Sequence, residues 1–590
     1  MWNILKDIIG SKKKNSLNHE FLVNNSPCSD KTIISNTFNE YFVNVGPSLA
    51  AKIPSVNSNP SDYLNESHPS SIFLSPVSVG EVKLAIAKLK TSASAGHDSI
   101  KPCIIKIVSD QISVPLTHII NLTFQYNIVP DDLKFANITP IYKAGDPMEV
   151  SNYRPISVLP AFSKIYERLL HDRLYTFLQQ NSILNNYQYG FRKKYSCEMA
   201  LAVALDYITS SLDSKKHVIG LFLDLKKAFD TVDYNILIKK LEHYGIRGNC
   251  LNLMKSYLEN RNQLVKLNSH KSSVLPITCG VPQGSILGPL LFLIYINDLP
   301  NALQYTKPMM YADDTNIFYS GTNIDEITST FNSDLMSLAQ YLKTNRLSLN
   351  LSKTHSMLFT LNPSLRDKTL SLSIDGSIID TIKCTTFLGV KIDNALSFTE
   401  HISHTCKKVS KSIGIIHKAS KLVNRPTLLT LYNSLLLPYF TYCNIIWGKA
   451  AKQHTDRLFR LQKKAIRIIC NRPPLTHTLP LFAECSLLTL DDLYLFRISL
   501  FIFKLSHHLL PPPVAQTFQL TPLVHGHSTR SATDFKVSQP KCRTALRQKS
   551  LNYCIPLIFN TFLLPYSILN LDSISIFKRN LKTIITSKYT

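Results

Sequence analysis

The sequence predicts an α+β fold in which buried strands are backed by amphipathic helices, followed by a basic helical region. Strand-like and helix-like segments alternate with short turns from residue 76 to about 390. Residues 218–223 form a continuous apolar run, which is typical of a strand buried on both faces. Residues 395–475 combine helical periodicity with many basic side chains. Together these observations favour a sheet with helices on it and a separate helical unit after it.

Length, composition and cysteine usage set the broad class of the protein. The chain has 590 residues, of which 44% are hydrophobic, so it is long enough for about three or four domains and too apolar for wholesale disorder. Its 18 glycines exclude a collagen-like or glycine-rich architecture. The 12 cysteines never form a Cys-x-x-Cys pair. In a chain of this length they indicate a reducing, intracellular compartment rather than a disulfide framework.

Basic charge is concentrated at the C-terminal end. The formal net charge is +25, and residues 391–590 carry 27 basic against 8 acidic side chains. A cationic region of this kind suits a phosphate backbone, because each cation that meets a phosphate releases a condensed counterion. The alternative is a globular protein with a basic tail. No membrane partner is expected, since the most apolar window, 428–447, contains Asn433 and Pro438 and predicts a buried helix pair.

The first 75 residues are polar and predict a single helix. Apolar residues recur at helical spacing from Ile34 to Val45, Asp30 is placed to cap the start of the helix, and Gly46 is placed to end it. Further along, an apolar stripe predicts another helix over 162–179.

The first of two acidic segments closes the buried strand. The run 218–223 ends in Asp224, and Asp233 can cap the helix that follows. A buried strand has no structural use for an unpaired carboxylate, because desolvating it costs several kcal/mol unless a cation is present. Asp224 is therefore a candidate cation ligand.

The second acidic segment is a predicted β-hairpin whose tip is Ala312-Asp313-Asp314. Because successive strand side chains point to opposite faces, we expect Asp313 to face Asp224 and Asp314 to lie at its flank. Magnesium prefers oxygen ligands and usually binds through one or two carboxylates together with substrate phosphates. Two Mg²⁺ ions about 4 Å apart, with Mn²⁺ as an alternative, would suit an in-line displacement at phosphorus. These three aspartates are the predicted catalytic and metal-binding set for nucleotidyl transfer.

Several motifs resemble those of the reverse transcriptases of non-LTR retrotransposons. The tetrapeptide 311–314 is similar to the signature hairpin of this family, and the stretch 224–230 is similar to its first acidic motif. Further matches follow in the expected order: ITPIYKAGD at 138–146, NYRPIS at 152–157, QYGFR at 188–192, GVPQGSILGP at 280–289, LNLSKT at 349–354 and FLG at 387–389. The resemblance covers about 80–390 and extends with the following helices to about 475. It implies a right-hand polymerase fold with fingers, a palm of antiparallel sheet and helices, and a helical thumb.

The resemblance also implies a domain organisation. The expected units are a partly disordered connecting segment at 1–75, an N-terminal extension packing on the fingers at 76–124, fingers and palm at 125–393, a helical thumb at 394–475, a linker region at 476–513 and a basic C-terminal region at 514–590. Three consecutive prolines at 511–513 support the predicted linker.

Five residues are assigned by the resemblance to binding of the deoxynucleoside triphosphate. Lys143 and Arg154, near the ends of apolar strands, would hold the triphosphate, since a guanidinium can bind phosphate oxygens in two places. Phe229 would stack below the sugar and exclude a 2′-hydroxyl. Gln283 would contact the sugar or the template, and Lys353 would lie near the pyrophosphate. For each of them the alternative is an ordinary surface or core side chain.

A second group of residues is predicted to contact nucleic acid: Gly284, Arg192, Arg457, Arg460, Lys464 and Arg467. The last four follow one stripe of a predicted helix over 452–470, for which a solvated charged face is the alternative. Near the C-terminus we interpret five more cations as phosphate contacts: Arg530, Lys541, Arg543, Arg547 and Lys549. The histidines and cysteines of the same region fit no zinc spacing, so no zinc is expected.

The predicted reaction is DNA synthesis directed by an RNA template, in which a primer 3′-hydroxyl attacks the α-phosphate of a deoxynucleotide and pyrophosphate leaves. Expected partners are template RNA, primer or target DNA and deoxynucleotides, and the sequence does not indicate an oligomeric state. The resemblance implies retrotransposition primed at nicked target DNA, and hence an intracellular protein that acts in the nucleus. Such elements commonly carry an upstream endonuclease, for which this chain begins too late. We therefore expect a truncated copy or a piece of a longer reading frame that could not nick its own target.

Three alternatives remain at this level. A group II intron maturase would carry a metal-binding nuclease module after the thumb, which we do not find in the sequence. An RNA-dependent RNA polymerase is disfavoured by Phe229 and by Ala312, where such enzymes usually have a polar residue and a glycine. A decayed or domesticated retroelement copy that acts only as an RNA-binding protein is disfavoured by the intact aspartate trio.

Overall fold

Strands and helices alternate in the first two-thirds of the chain, and helices dominate the remainder. A computed structural model describes residues 20–518, 537–561 and 571–589, together with Leu569. The strands are β1 Phe21–Val23, β2 Ser26–Cys28, β3 Ala136–Tyr142, β4 Tyr153–Val158, β5 His217–Leu223, β6 Arg261–Leu267, β7 His270–Lys271, β8 Leu275–Ile277, β9 Lys307–Tyr311, β10 Asp314–Gly321, β11 His355–Phe359, β12 Ser373–Ile374, β13 Ser377–Ile378, β14 Cys384–Phe387 and β15 Val390–Asp393.

The α-helices of the described residues are numbered here in chain order. They are α1 Lys31–Ala51, α2 Val79–Ala87, α3 Pro102–Ile107, α4 Ser109–Tyr126, α5 Ala161–Gln180, α6 Cys197–Asp213, α7 Tyr234–His243, α8 Gly248–Leu258, α9 Leu287–Tyr295, α10 Ile324–Thr344, α11 Thr399–Ala419, α12 Arg425–Leu435, α13 Leu437–Thr441, α14 Asn444–Trp447, α15 Lys452–Ile469, α16 Leu479–Glu484, α17 Leu490–Ser506, α18 Pro512–Ala515, α19 Ala545–Gln548, α20 Leu551–Thr561 and α21 Ile574–Thr586.

The central sheet carries the two acidic segments. It is antiparallel in the order β11-β5-β10-β9. Strand β5 is buried along its length apart from His217 at its start, which is half-buried. Strands β9 and β10 form a hairpin with a two-residue turn at Ala312 and Asp313. The buried strand and the hairpin predicted from the sequence are therefore both present, as is the helix at 234–243 capped by Asp233.

A second sheet is formed by strands that precede and follow β5 in the sequence. Its order is β4-β3-β6-β7, and β8 also pairs with β6, on the side away from β3. Helix α1 packs on β6, β7 and β8, and its N-terminus is capped by Asp30, which accepts hydrogen bonds from the backbone of Thr32 at 2.7 Å and Ile33 at 3.0 Å. A small core of α1, β1 and the sheet results, in which Phe38 packs against Phe21 and Tyr153.

One expectation for the N-terminal segment is wrong. Helix α1 does not end at Gly46 but continues to Ala51. Gly46 is needed for close approach instead, because a Cβ atom there would lie 2.2 Å from the carbonyl oxygen of Asp230. The helix expected within the connecting segment is present, and residues 20–51 complete the core of the second sheet. Residues 1–19 lie outside the described part.

The segment 76–124, predicted to pack on the fingers, belongs to the core behind the central sheet, and its relation to the fingers stays a prediction. Helices α2 and α4 contact α5 and α8, and their buried side chains are continuous with the core behind the central sheet. In the described residues it is 20–51, and not 76–124, that covers the second sheet. The helix predicted over 162–179 is present as α5.

A helical unit follows the sheets. Helix α11 packs along α15, and helices α12 to α14 occupy the apolar window 428–447 as predicted. Among the described helices, none is both long and apolar enough to cross a membrane. The linker expected over 476–513 is wrong, because α17 within it is buried against α13, α14, α20 and α21. Apolar periodicity continues across this segment, so it forms core rather than a tether.

Candidate active site

The acidic segments meet at one end of the central sheet. Thr315 of β10 pairs with Leu223 of β5, so Asp224, the next residue after β5, lies beside the hairpin turn that carries Asp313 and Asp314. Both elements are held by their buried apolar flanks, which place carboxylates at the strand ends. The register therefore brings the ends of the two acidic segments together, whereas the expectation that Asp313 is the residue that faces Asp224 stays a prediction.

The ionised forms of the two hairpin carboxylates are disfavoured in this fold. Burial raises the pKa of Asp314 to about 6, and the charges of Asp313 and Asp224 add to this effect. Burial also raises the pKa of Asp313, as does Asp224, whereas Lys143 and Arg154 lower it. Repelling carboxylates of this kind fit a hard divalent cation, which would offset their repulsion. Within the described residues, no three acidic, histidine or cysteine side chains converge on one point, so the complete metal-binding trio stays a prediction.

Asp224 is held in place by a residue that the sequence reasoning did not single out. Its Oδ2 accepts a hydrogen bond of 2.7 Å from Nδ2 of Asn350, whose backbone N–H donates to the Asp224 carbonyl at 2.8 Å. The ammonium of Lys353 lies 3.9 Å from the same Oδ2. Asn350 belongs to the LNLSKT motif, so its place in that motif was the signal that could have found it.

The backbone of the hairpin turn is held by hydrogen bonds and close contacts from residues 188–190. Ala312 has a φ of 56°, in the left-handed region that a non-glycine residue seldom adopts. The buried Gln188 accepts hydrogen bonds through Oε1 from the backbone of Ala312 at 2.9 Å and of Gly190 at 2.8 Å. A Cβ atom at Gly190 would lie 2.3 Å from the Ala312 nitrogen. The QYGFR motif therefore supports the turn that carries Asp313.

Cations surround the carboxylates on the side of the second sheet. Lys143 follows β3 and Arg154 lies within β4, and both side chains are exposed. Partial burial, then the charges of Arg154 and Lys353, lower the pKa of Lys143, while Asp224 and Asp313 raise it. The predicted triphosphate ligands are thus within electrostatic range of the aspartates. A cavity of about 420 Å³ lined by Asp224, Asp314 and Lys353 opens beside them.

Phe229 is placed by aromatic packing. Its ring stacks on Phe292 with centroids 4.5 Å apart, and the edge of Phe191 lies 6.3 Å away. The ring is half-buried, so one part of it is core and another is accessible. Its role against the 2′-hydroxyl stays a prediction.

The loop that carries Gln283 and Gly284 approaches the second sheet closely. Nε2 of Gln283 donates a 2.8 Å hydrogen bond to Oδ1 of Asp230. Gly284 has a φ of 122°, and a Cβ atom there would lie 2.7 Å from the Ser157 carbonyl of β4. Gly284 is thus required by the turn itself, and its contact with nucleic acid stays a prediction.

The residues predicted to bind nucleic acid divide into two groups. Arg457, Arg460 and Lys464 are exposed on α15, as the amphipathic pattern predicts, whereas Arg467 is half-buried and donates to the Thr476 carbonyl at 2.8 Å. The interpretation of Arg192 is wrong. Its side chain is only 7% exposed, and Nη1 donates to the carbonyls of Asn185 and Gln188 at 2.6 and 3.2 Å.

One of the C-terminal arginines is also not a phosphate contact. Arg547 is buried and forms an ion pair with Asp206 of α6, with a further hydrogen bond to Thr209 at 3.0 Å. Nearby, Asp213 accepts hydrogen bonds from the backbone of Arg543 and Thr544. These contacts fasten the segment to the back of the sheet. Arg530 lies outside the described residues.

Comparison with known proteins gives consistent similarities. Residues 141–392 match the family model described as "Reverse transcriptase (RNA-dependent DNA polymerase)". The chain is 31% identical over 442 residues to the "Probable RNA-directed DNA polymerase from transposon BS" of Drosophila melanogaster, covering 72% of this chain and 48% of that protein. It is 30% identical over 424 residues to the "RNA-directed DNA polymerase from mobile element jockey" of the same organism, covering 70% and 46%. The chain spans about half the length of these curated relatives.

Proposed function

Residues 141–392 form a reverse transcriptase domain of the kind found in non-LTR retrotransposons, and on this premise we propose that the chain extends a primer 3′-hydroxyl with deoxynucleotides on an RNA template. The observation that supports this proposal most is the position of Asp224 beside the Asp313–Asp314 turn, with Lys143 and Arg154 in electrostatic range. Phosphoryl transfer depends on positioning and charge stabilisation. It therefore requires carboxylates that bind divalent cations and, beside them, basic side chains that bind the phosphates.

In this proposal the chain's own residues hold the substrate in line. Lys143 and Arg154 neutralise the triphosphate from the second sheet, and Lys353, 3.9 Å from Asp224, neutralises charge or donates a proton as pyrophosphate leaves. Phe229 supports the sugar from below. Asn350 keeps the Asp224 carboxylate oriented, and Gln188 keeps the turn of Asp313 in its strained conformation.

Divalent cations belong to the same proposal. Asp224, Asp313 and Asp314 are the residues that would hold them. When bound, Mg²⁺ supplies Lewis-acid stabilisation of charge on the phosphate oxygens and lowers the pKa of a coordinated hydroxyl. The all-oxygen donor set and the raised pKa of Asp314 support this assignment.

The partners and the site of action are proposals of the same standing. We propose that template RNA and primer or target DNA are held partly by the exposed cations of α15, such as Arg457, Arg460 and Lys464. Synthesis at a nicked nuclear target, as in retrotransposition, is the setting that the similarity to mobile-element polymerases supports.

The test is primer extension on an RNA template with Mg²⁺, comparing the unchanged chain with Asp313→Asn. We expect the variant to lose essentially all extension while its RNA affinity is retained, because only the charge at the acidic centre is removed. Asp325→Asn is the matched control. Asp325 is an exposed acid in the first turn of α10, where it pairs with Lys368. Equal extension by the unchanged chain and Asp313→Asn would overturn the proposal.

A further inference from the structure

Asp230 is a half-buried residue to which the proposed function assigns no role. It ends the short turn Ala228–Asp230 behind Phe229, and burial raises its pKa to about 6. Among the described residues it makes no ion pair, since the nearby Lys227 donates instead to the carbonyls of Ser151 and Tyr153. One of its oxygens, Oδ2, is buried without a hydrogen-bond partner in the described structure. A carboxylate this poorly compensated destabilises the fold, which favours a role in the site over a purely structural one.

The single side-chain hydrogen bond of Asp230 is made to Gln283. Nε2 of Gln283 donates to Oδ1 of Asp230 at 2.8 Å. The other end of the amide, Oε1, makes no hydrogen bond within the described residues and is not enclosed. Because an ionised carboxylate can only accept, the reverse orientation of the amide would bring two oxygens together. Asp230 therefore selects which end of the Gln283 amide is free.

The backbone around Gln283 is fixed independently of this bond. Gly280 and Val281 donate to the carbonyls of Val232 and Phe229, both at 2.8 Å. On the other side, Ser157 of β4 donates to the Gln283 carbonyl at 2.8 Å. The loop thus has its path set by main-chain contacts, and the amide orientation is what remains for Asp230 to determine.

We propose that Asp230 is a positioning residue that turns the Gln283 amide so that its oxygen accepts a hydrogen bond from the incoming deoxynucleotide. This inference rests on the proposed function and adds to it the direction of the Gln283 contact. The nucleotide group recognised is a donor, a sugar hydroxyl or a base amino group, rather than a phosphate oxygen. Asp230 itself touches no substrate and acts only through Gln283.

Steady-state primer extension with Asp230→Asn tests the proposal. Asparagine has the same shape, but its amide can donate or accept, so Gln283 is no longer held in one orientation. We expect the KM for the deoxynucleotide to rise about tenfold with kcat largely retained, the loss of one oriented hydrogen bond. Thermal unfolding and RNA affinity should be unchanged or improved, which a merely structural role of Asp230 would not give.

The second variant, Gln283→Met, removes the amide from a partly exposed loop and leaves the buried carboxylate untouched. We expect it to raise KM as much as Asp230→Asn does, and the double variant to be no worse than either single one. Additive effects, an effect on kcat alone, or an unchanged KM in Gln283→Met would overturn the inference. If the unchanged chain extends no primer on RNA, the proposed function falls and this inference falls with it, whereas an active chain with additive variants removes only the inference.

Discussion

Charged side chains at the central sheet and at the C-terminal end of the chain are used in opposite ways. At the sheet, burial and neighbouring carboxylates raise the pKa values of Asp313 and Asp314, and the nearby cations, Lys143 for both and Arg154 for Asp313, offset this only in part. At the C-terminal end, Arg547 is neutralised by Asp206 and closed off from solvent. Arg192 is likewise buried, and its guanidinium donates hydrogen bonds to backbone carbonyls.

The difference shows how a charge surplus in a sequence should be interpreted. A net count of basic residues cannot separate cations that meet a ligand from cations that hold two helices together. What marks a ligand site is a set of like charges whose repulsion the protein's own cations offset only in part, as at the acidic centre. Four experiments break or sharpen this contrast.

The largest expected effect concerns the compensated arginine. Arg547→Ala leaves the buried carboxylate of Asp206 without its partner, so we expect the free energy of unfolding to fall by about 3–5 kcal/mol. Arg460→Ala, at an exposed position on α15, should leave stability unchanged but reduce the salt dependence of RNA affinity by about 0.7–0.9 in log–log slope. Denaturant unfolding and binding titrations at several salt concentrations measure both. A stable Arg547→Ala with weakened RNA binding would reverse the assignment.

A smaller effect is expected from the support of the hairpin turn. Gly190→Ala would place a methyl group 2.3 Å from the Ala312 nitrogen and displace Asp313, so we expect primer extension to fall about a hundredfold. Gly80→Ala in α2 is the control, since the nearest atom to its Cβ lies 3.9 Å away. Rapid-quench extension with both variants measures the difference. Normal activity of Gly190→Ala would show that the turn does not depend on this close approach.

Sugar discrimination gives a third, more moderate effect. Phe229→Ala removes the half-buried ring that stacks on Phe292, and we expect ribonucleotide incorporation relative to deoxynucleotide to rise about tenfold. Paired kcat/KM measurements with the two nucleotides give this ratio. Phe191→Ala, which removes only the neighbouring ring edge, is the comparison. An unchanged ratio in Phe229→Ala would assign the ring to the core alone.

The smallest effect is a pH-dependent gain in stability. The pKa of Asp314 is raised from 3.8 to about 6 in the fold, so the folded chain holds this proton more tightly than the unfolded chain. Ionised Asp314 therefore costs stability above pH 6, and the cost is relieved as the pH falls from 6 toward 4. We expect Asp314→Asn to raise Tm by roughly 1–3 °C at pH 7.5 without divalent ions, and the gain to shrink near pH 4.5. A lower Tm at pH 7.5 would contradict the repulsion at this site.

Much of the site could be predicted because it depends on local patterns. An apolar strand that ends in Asp224 and an apolar hairpin around Asp313 can each be recognised from a short stretch of sequence. Antiparallel pairing then brings their ends together. The supporting contacts of Asn350 and Gln188 do not follow from local patterns, and the only sequence signal for these two residues is their place in the LNLSKT and QYGFR motifs. These contacts join residues 126 and 124 positions apart through hydrogen bonds that no periodicity encodes.

The errors have a common physical origin. Gly46 looks like a helix stop, yet its lack of a side chain serves contact with a distant carbonyl. The run of prolines at 511–513 suggests a tether, yet the preceding helix α17 is buried on several sides. Arg192 and Arg547 look like surface charges, yet both are enclosed. In each case tertiary contacts decide the role, and a single sequence does not list them.

The apolar core that α17 forms with α21 sets a lower limit on how short a folded chain can be. In it Phe503 of α17 stacks on Phe577 of α21, with ring centroids 4.3 Å apart. Cutting after residue 475 would remove both helices and expose the hydrophobic surface of the helices that remain. Such a fragment is expected to self-associate before it ever meets a template. Helix α21, the last helix of the described residues, is therefore needed for the core of the helical unit even though it carries none of the predicted site residues.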